Sequence, residues 1–478
     1  MQSLKEKTAR GLFWGGISSG SQQILGTLFG IILARILDAE DYGTVGLLAI
    51  FSGIAGSIQE CGFTTALTNK KEIRHEDYNA VFWFSAFSSL FMYILLFFGA
   101  PFIAQFFNKP ELVNLSRVLF LGFLFGGLGI AQNAYLFKNM MVKQKAQIDI
   151  ISLAVSGITG ISMALLGFGY WGLAVQSTLY IVSGTVLRWW YSGWRPSWNI
   201  NFSPLKPLFG FSFKLFLTNV LNQINNNIFS VLLGKFYNVD AVGYYSQGQK
   251  WMVMGYTFIG GMLNGVAQPV LVQVADNKER ECLVFRKMLR FGAFVSFPLV
   301  LGLGFVGNEF IRIAVGEKWL PAVPFLQIFC IWGSVGYMWT LYTNLLMTHG
   351  YSGRYMWGMG LTGIIQLIVV AVMFRWGIFW MLGAYIVVYF MALLGWQFFA
   401  RQLIGLKLRM VLKDILPYLF ITLVSFGIAW FLLRSVENVY LLLVAKIGIS
   451  AIVYISALYL FDSVVFRESV AFLKNRRR

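Results

Sequence analysis

The sequence predicts an all-α integral membrane protein: about 14 transmembrane helices, two six-helix lobes related by a parallel pseudo-two-fold repeat, and two further C-terminal helices. Three observations carry that prediction. The chain is far more apolar than a water-soluble one. Its apolar runs have the length of bilayer crossings. One charged turn, with the helix before it, is written twice.

Of 478 residues, 58% are hydrophobic and 12% are charged, with a mean hydropathy of +0.67. Soluble domains carry about 25% charged residues, so this chain belongs in lipid. A net charge of +18 would suggest nucleic acid in a soluble protein. Here the basic residues sit in short loops between apolar runs, where they set topology, and no nucleic-acid partner is expected. Cys61, Cys282 and Cys330 are odd in number and two lie in apolar runs, which indicates neither a disulfide framework nor a zinc site. His75 and His349 lie far apart near helix ends, so no metal site is expected, and no cofactor either.

A bilayer core of about 30 Å takes roughly 20 helical residues per crossing. Runs of that length fall near 11–35, 42–66, 79–107, 112–137, 147–168, 170–192, 209–236, 242–273, 285–307, 321–348, 354–375, 377–400, 413–434 and 440–462. The basic start "MQSLKEKTARGLFW" looks like the n-region of a signal peptide. Its apolar run is too long for an h-region and has no clear cleavage site, so it reads as a retained first span. Pro101, Pro269 and Pro298 fall inside runs and predict kinks. Most Lys and Arg residues fall in the even-numbered connections and at the two ends. Positive residues favour the cytoplasmic face, which puts both termini there and requires an even number of crossings.

The repeat is "LARILDAEDYGTVG" from Leu33 and "LGKFYNVDAVGYYS" from Leu233. Arg35 falls on Lys235, Asp38 on Asn238, Glu40 on Asp240 and Gly43 on Gly243. In the preceding helix Gln22 falls on Asn222, Gln23 on Gln223 and Thr27 on Asn227. Six spans separate the copies, so both cross in the same direction, as in two-lobed transporters. The expected division is an N-terminal lobe over 1–200, a second lobe over 201–405, and helices 13 and 14 with a basic tail over 406–478. The repeated turn, with Arg35, Asp38, Lys235 and Asp240, is expected to act as a gate at the outer face.

Ser18, Gln22 and Gln23 lie near the middle of the first span; Thr218, Asn219, Asn222, Gln223 and Asn226 lie near the middle of the seventh. Thr218, Asn222 and Asn226 share one helical face by their i, i+4 spacing. Amides facing hydrocarbon have no partner, so these face either protein or water. Interhelical hydrogen bonding would satisfy them. Recurrence at mid-depth in both copies favours a wet cavity, where paired donors and acceptors suit sugar hydroxyls.

Ionisable residues in or near spans are Glu60, Arg117, Asp149, Arg188, Lys214, Lys250, Arg290, Arg354 and Arg375. Intramembrane charges point to function, although long basic side chains near span ends also reach the interface. Glu60 is the candidate ion-coupling acid. Arg117, Lys214, Arg290 and Arg354 are candidates for an anionic lipid phosphate or acidic sugar. The glycine-rich "GFLFGGLG" reads as close helix packing. Trp189, Trp190, Trp194 and Trp198 read as an interfacial belt, and the terminal "RRR" as a contact with anionic headgroups.

Several stretches together resemble a known family. "SLKEKTARGLFW", "LARILDAEDYGTVGL", "ECGFTTALTNKKEIRHEDYNAVFW", "FFNKPEL" and "VGEKWLPAVPFLQIFCIWG" are similar to the polysaccharide-transporter family of the multidrug/oligosaccharidyl-lipid/polysaccharide flippase superfamily. The match is to the branch of colanic and teichuronic acid exporters. The resemblance runs to about residue 350 and is vague in the last two spans. It implies a bacterial inner-membrane flippase moving a polyprenyl-diphosphate-linked oligosaccharide for lipopolysaccharide, capsule or exopolysaccharide assembly. It further implies alternating access driven by H+ or Na+, membrane lipids as surroundings, and polysaccharide polymerase machinery as a partner. Peptidoglycan-precursor flippases carry arginines in the first span, where this chain has Ser18, Ser19, Gln22 and Gln23.

Two other readings compete. A multidrug or cation antiporter of the same superfamily would carry buried carboxylates in a lobe, and Glu60 and Asp149 alone are available. A polyprenyl-glycan polymerase or ligase needs catalytic groups on a sizeable outer loop. The outer connections are short and their acids scattered, so no enzyme is expected.

Overall fold

A computed structural model describes residues 4–60, 63, 67, 70, 73–463 and 465–468. Cys61 and the C-terminal Arg476, Arg477 and Arg478 lie outside the described residues, as does the side chain of Lys214. Every regular element among the described residues is helical. Hydrocarbon offers backbone groups no partners, so an apolar chain must satisfy them within each crossing segment.

The chain opens with α1 (Leu4–Ile36), α2 (Ala39–Gly46) and α3 (Ala49–Glu60). Next come α4 (His75–Phe107), α5 (Leu112–Gly127), α6 (Ile130–Lys138), α7 (Val142–Leu165) and α8 (Tyr170–Ser192). A link leads to α9 (Lys206–Phe236) and α10 (Val239–Val274). Then follow α11 (Lys278–Ser296), α12 (Gly302–Phe305), α13 (Gly307–Ala314) and α14 (Val323–Thr348). The last four are α15 (Ser352–Met373), α16 (Ile378–Ile404), α17 (Leu408–Leu433) and α18 (Val439–Leu460).

Among the described residues, 10 helices are long and apolar enough to cross a membrane, or up to 11 with the bent pair α5–α6 counted as one span. Length alone also admits α8, α9 and α10, of 23, 31 and 36 residues. The α5–α6 break bends by 45°, and it falls in the glycine-rich stretch that the sequence suggested was packing. Of the three prolines, Pro101 and Pro269 sit inside helices. Pro298 sits in a π-helical turn, Phe297–Leu301, which widens the helix where the ring removes a hydrogen bond.

The chain divides into two compact units, Met1–Gly243 and Tyr244–Arg478. In the first, α7 packs against α1 and α8, α5 against α4 and α8, and α3 against α9. A Cβ at Gly157 would overlap the Phe29 ring, so a bare α7 backbone lets α1 approach. An apolar cluster of Phe63, Leu67, Tyr78, Phe82, Ala131 and Trp194 anchors the link before α9. Buried Asn79 holds that link twice: its Nδ2 donates to the Asn199 carbonyl at 2.7 Å, and its Oδ1 accepts from the Ser197 amide at 2.8 Å. Trp194 is buried and donates to His75 Nδ1 at 3.1 Å, whereas Trp190 and Trp198 are exposed. The tryptophan belt expected from sequence is thus half anchor and half interface.

In the second unit α11 packs on α14 and α17, α15 on α16, and α17 on α18. Three of its ion pairs are closed and partly or wholly buried. Arg286 donates twice to Asp414, at 2.6 and 3.1 Å. Lys446 reaches Glu309 at 2.8 Å, and His349 Nε2 lies 3.0 Å from the fully buried Glu281. Cys282 and Cys330 are free.

Candidate functional site

Both copies of the repeated turn cap the helix that follows, through reciprocal hydrogen bonds. The Asp38 amide donates to Asp41 Oδ2 at 3.1 Å at the start of α2, and Asn238 Oδ1 accepts from the Ala241 amide at 2.7 Å at the start of α10. Side-chain oxygens there satisfy amides that a helix start leaves open. The two glycines that end the turns then meet across a shared contact. A Cβ on Gly43 would strike the Val239 carbonyl, and a Cβ on Gly243 would strike the Ala39 carbonyl. Each contact repeats the other at an offset of 200 residues, so the two copies touch as partners related by a pseudo-two-fold rotation, within the first unit.

Charged groups surround this contact. Lys109 bridges Glu40 at 2.7 Å and Glu111 at 3.2 Å. Burial pulls its pKa down, but the bonds to both carboxylates outweigh that and hold it above the usual lysine value. Lys235 donates to the Phe106 carbonyl at 2.6 Å and lies over the Phe106 ring. One turn therefore holds the connection after α4, and the other the last turn of α4 itself.

The amide stripe falls on α1 and α9. Gln22 Nε2 donates to Ser18 Oγ at 2.9 Å, and Gln23 is exposed. On α9, Asn227 donates to the Gln223 carbonyl at 2.9 Å and its side-chain oxygen at 3.2 Å. Gln223 lies against Gly53 of α3, where an added Cβ would push its side-chain amide aside. Thr218, Asn219 and Asn222 are half-buried and Asn226 is exposed. The stripe is therefore divided between helix contact and open surface.

One polar pocket of about 210 Å³ lies wholly inside the first unit, lined by Gly56, Gln59, Glu60, Gly126, Gly129, Ile130, Asn133 and Arg188. Glu60 enters it from the last turn of α3 and Arg188 from α8. Gln59 is buried and ties α3 to α5 by donating to the Phe123 carbonyl at 2.8 Å. Gly126 makes room for Gln59 and Gly129 for Thr185, one turn before Arg188 on α8. Asp149 of α7 and Tyr180 of α8 act electrostatically on the same guanidinium. A carboxylate, an amide and a guanidinium facing one small cavity can bind a polar or charged group that lipid would reject.

The other basic candidates have local partners. Arg117 lies 4.2 Å above the Phe97 ring, Arg290 is 3.5 Å from Asp414, and Arg354 lies 4.3 Å from the Tyr351 ring centre. The sequence grouped Arg188 with residues near span ends, but its side chain points into the pocket. Asn133 carried no sequence signal. The glycines at 126 and 129 were the available clue.

Comparison with known proteins agrees with this architecture. A membrane protein of the cps region of Klebsiella pneumoniae is 27% identical over 340 residues, covering 70% of this chain and 69% of that protein. Lipopolysaccharide biosynthesis protein WzxC of Escherichia coli is 25% identical, covering 69% of this chain and 68% of its own. Teichuronic acid biosynthesis protein TuaB of Bacillus subtilis is 26% identical, covering 70% and 69%. Among solved structures, the lipid II flippase MurJ in an inward closed conformation superposes with a TM-score of 0.73 at 16% identity, over 96% of this chain and 100% of that one. An inward-facing multidrug MATE transporter superposes at 0.63, over 80% of this chain and 94% of that one. The chain shares the fold of these structures. Residues 32–324 match the family described as Polysaccharide biosynthesis protein, and the chain belongs to that family.

Proposed function

We propose that the chain is a flippase that carries a polyprenyl-diphosphate-linked oligosaccharide across the bacterial inner membrane for surface-polymer assembly. The observation that carries the proposal is the pocket of Glu60, Asn133 and Arg188 inside an apolar helical unit, in a chain whose family is described as Polysaccharide biosynthesis protein. Such a cluster is costly in lipid unless a polar ligand uses it. Relatives named for teichuronic acid and lipopolysaccharide biosynthesis support a glycan cargo.

In this reading the exposed amides Gln23 and Asn226, with Asn222, Asn219, Thr218 and Ser18, line the sugar's path. Glu60 takes up the coupling H+ or Na+. The basic candidates Lys214 and Arg188 meet anionic groups, while Arg117, Arg290 and Arg354 hold their helices. The turns at Asp38 and Asn238, with Arg35, Lys235 and Asp240, close the outer face. Residues 1–200 and 201–405 are the repeat-related halves, and both termini face the cytoplasm because the basic loops lie there.

The test is reconstitution of the full chain in vesicles with a fluorescent lipid-linked oligosaccharide on one leaflet. Translocation that requires an imposed H+ or Na+ gradient, and falls at least tenfold in Glu60→Gln, supports the reading. Translocation that is unaffected in Glu60→Gln removes Glu60 from coupling. No translocation of any lipid-linked glycan, with extrusion of an organic cation instead, replaces the flippase with the antiporter.

A further inference from the structure

The second unit contains a groove that the transport reading does not use. It has about 470 Å³ of space and is walled by Val335 and Met338 of α14, Leu393 and Leu394 of α16, and Leu412 and Leu419 of α17. That volume lies within the range of small-ligand pockets, about 300–1,000 Å³. The lining is almost wholly apolar. Its one polar end is sealed, because Tyr342 donates to Gln397 Oε1 at 2.6 Å and Gln397 donates to the Leu406 carbonyl at 2.8 Å. The Arg286–Asp414 pair pins α17 to α11, so the groove is preformed.

The same end of the groove is strongly basic. Arg401 continues the α16 row Leu394–Gln397 by one turn. Lys407 and Arg409 flank Leu408, which lines the groove at the start of α17. Lys413 follows one turn later. All four cations are exposed. The one acid in this stretch, Asp414, is buried against Arg286 and Arg290. α17 also begins without a side-chain cap, and a helix start attracts anions through its open amides and dipole.

An apolar slot ending in uncompensated cations at a membrane surface matches a lipid with a hydrocarbon chain and a phosphate head. We infer that this groove binds an anionic glycerophospholipid, with one acyl chain between α14, α16 and α17 and the phosphate on Arg401, Lys407 and Arg409. Basic pockets between spanning helices on the cytoplasmic side hold such headgroups. Anionic phospholipid also vastly outnumbers a lipid-linked cargo in the bilayer, so mass action fills the site with the resident lipid.

The experiment measures lipid binding to the purified full chain by native mass spectrometry, with phosphatidylglycerol, phosphatidylcholine and a long-chain polyprenyl phosphate offered separately and in competition. Phosphatidylglycerol should be retained in preference to phosphatidylcholine. The triple variant Arg401→Gln/Lys407→Gln/Arg409→Gln should lose about tenfold or more of that preference. Leu412→Trp keeps every charge and fills the slot, so it should lower retention of both phospholipids. Unchanged selectivity in the triple variant overturns the headgroup assignment. Unchanged retention in Leu412→Trp overturns the acyl slot. Displacement of phosphatidylglycerol by equimolar polyprenyl phosphate reassigns the groove to the cargo's lipid. Binding is read without transport, so the result stands apart from the proposed flippase activity.

Discussion

One group of ionisable side chains in each compact unit stands out, and the two groups differ in what they face. In the second, Arg286 meets Asp414, Lys446 meets Glu309 and His349 meets Glu281, each within 3.0 Å. In the first, Glu60, Asn133 and Arg188 border open space. Closed pairs fix helices against one another, because separating them leaves an ion in a poor solvent. Charges around a cavity leave room for a guest. The difference assigns cohesion to the pairs and chemistry to the pocket, and substitutions can break that division.

The largest effect is expected at Asp414. Asp414→Ala strands Arg286 and Arg290 beside α17 and should cost about 3–5 kcal/mol, seen as a lower melting temperature of the detergent-solubilised protein. Glu309→Leu should cost slightly less, about 2–4 kcal/mol, since it leaves one partly buried cation, Lys446, without its carboxylate. Adding Lys446→Met should restore most of that loss, and a double variant as unstable as the single one would break the assignment of the pair to cohesion. Glu60→Gln should shift stability by less than about 1 kcal/mol while transport collapses. A large loss of stability there would make the pocket a structural feature like the pairs. Gln23→Leu exchanges an exposed amide and should leave melting within about 0.5 kcal/mol, with reduced glycan export as its readout.

The smallest effect concerns pH. Lys109 has a pKa held above its ordinary 10.5, so its ion pairs contribute fully below that value. Their contribution fades only as pH rises through the raised pKa. Between pH 6 and 9 the melting temperature of Lys109→Met should therefore run parallel to that of the parent chain.

Much of this architecture was legible because lipid enforces it. Apolar runs gave α4, α7 and α14 to α18 with small shifts at their ends, since no other backbone survives in hydrocarbon. The run at 42–66 hid the break after Gly46, and the run at 112–137 hid the bend at Leu128. Hydropathy records length and polarity, and both breaks keep the polarity unchanged. The repeat aligned Asp38 with Asn238, and both stand at a capped helix start, although the accepting oxygen belongs to Asp41 in one bond and to Asn238 in the other. It could not show that Gly43 and Gly243 approach each other's neighbours, because contact between distant segments leaves no local pattern. Glu60 stood out as an acid in an apolar run. Its neighbours Asn133 and Arg188 came from other helices, and only the fold brings them to one cavity.

The paired glycines carry a consequence for how the halves can change. In a dimer of two identical half-length chains, a two-fold contact of this sort needs a single glycine codon, used once by each copy. Joined into one chain, the same contact depends on two independent positions. A methyl gained at either one wedges both segments apart, however intact its counterpart remains. Divergence between the halves is therefore free along most of their length and halted where they still touch.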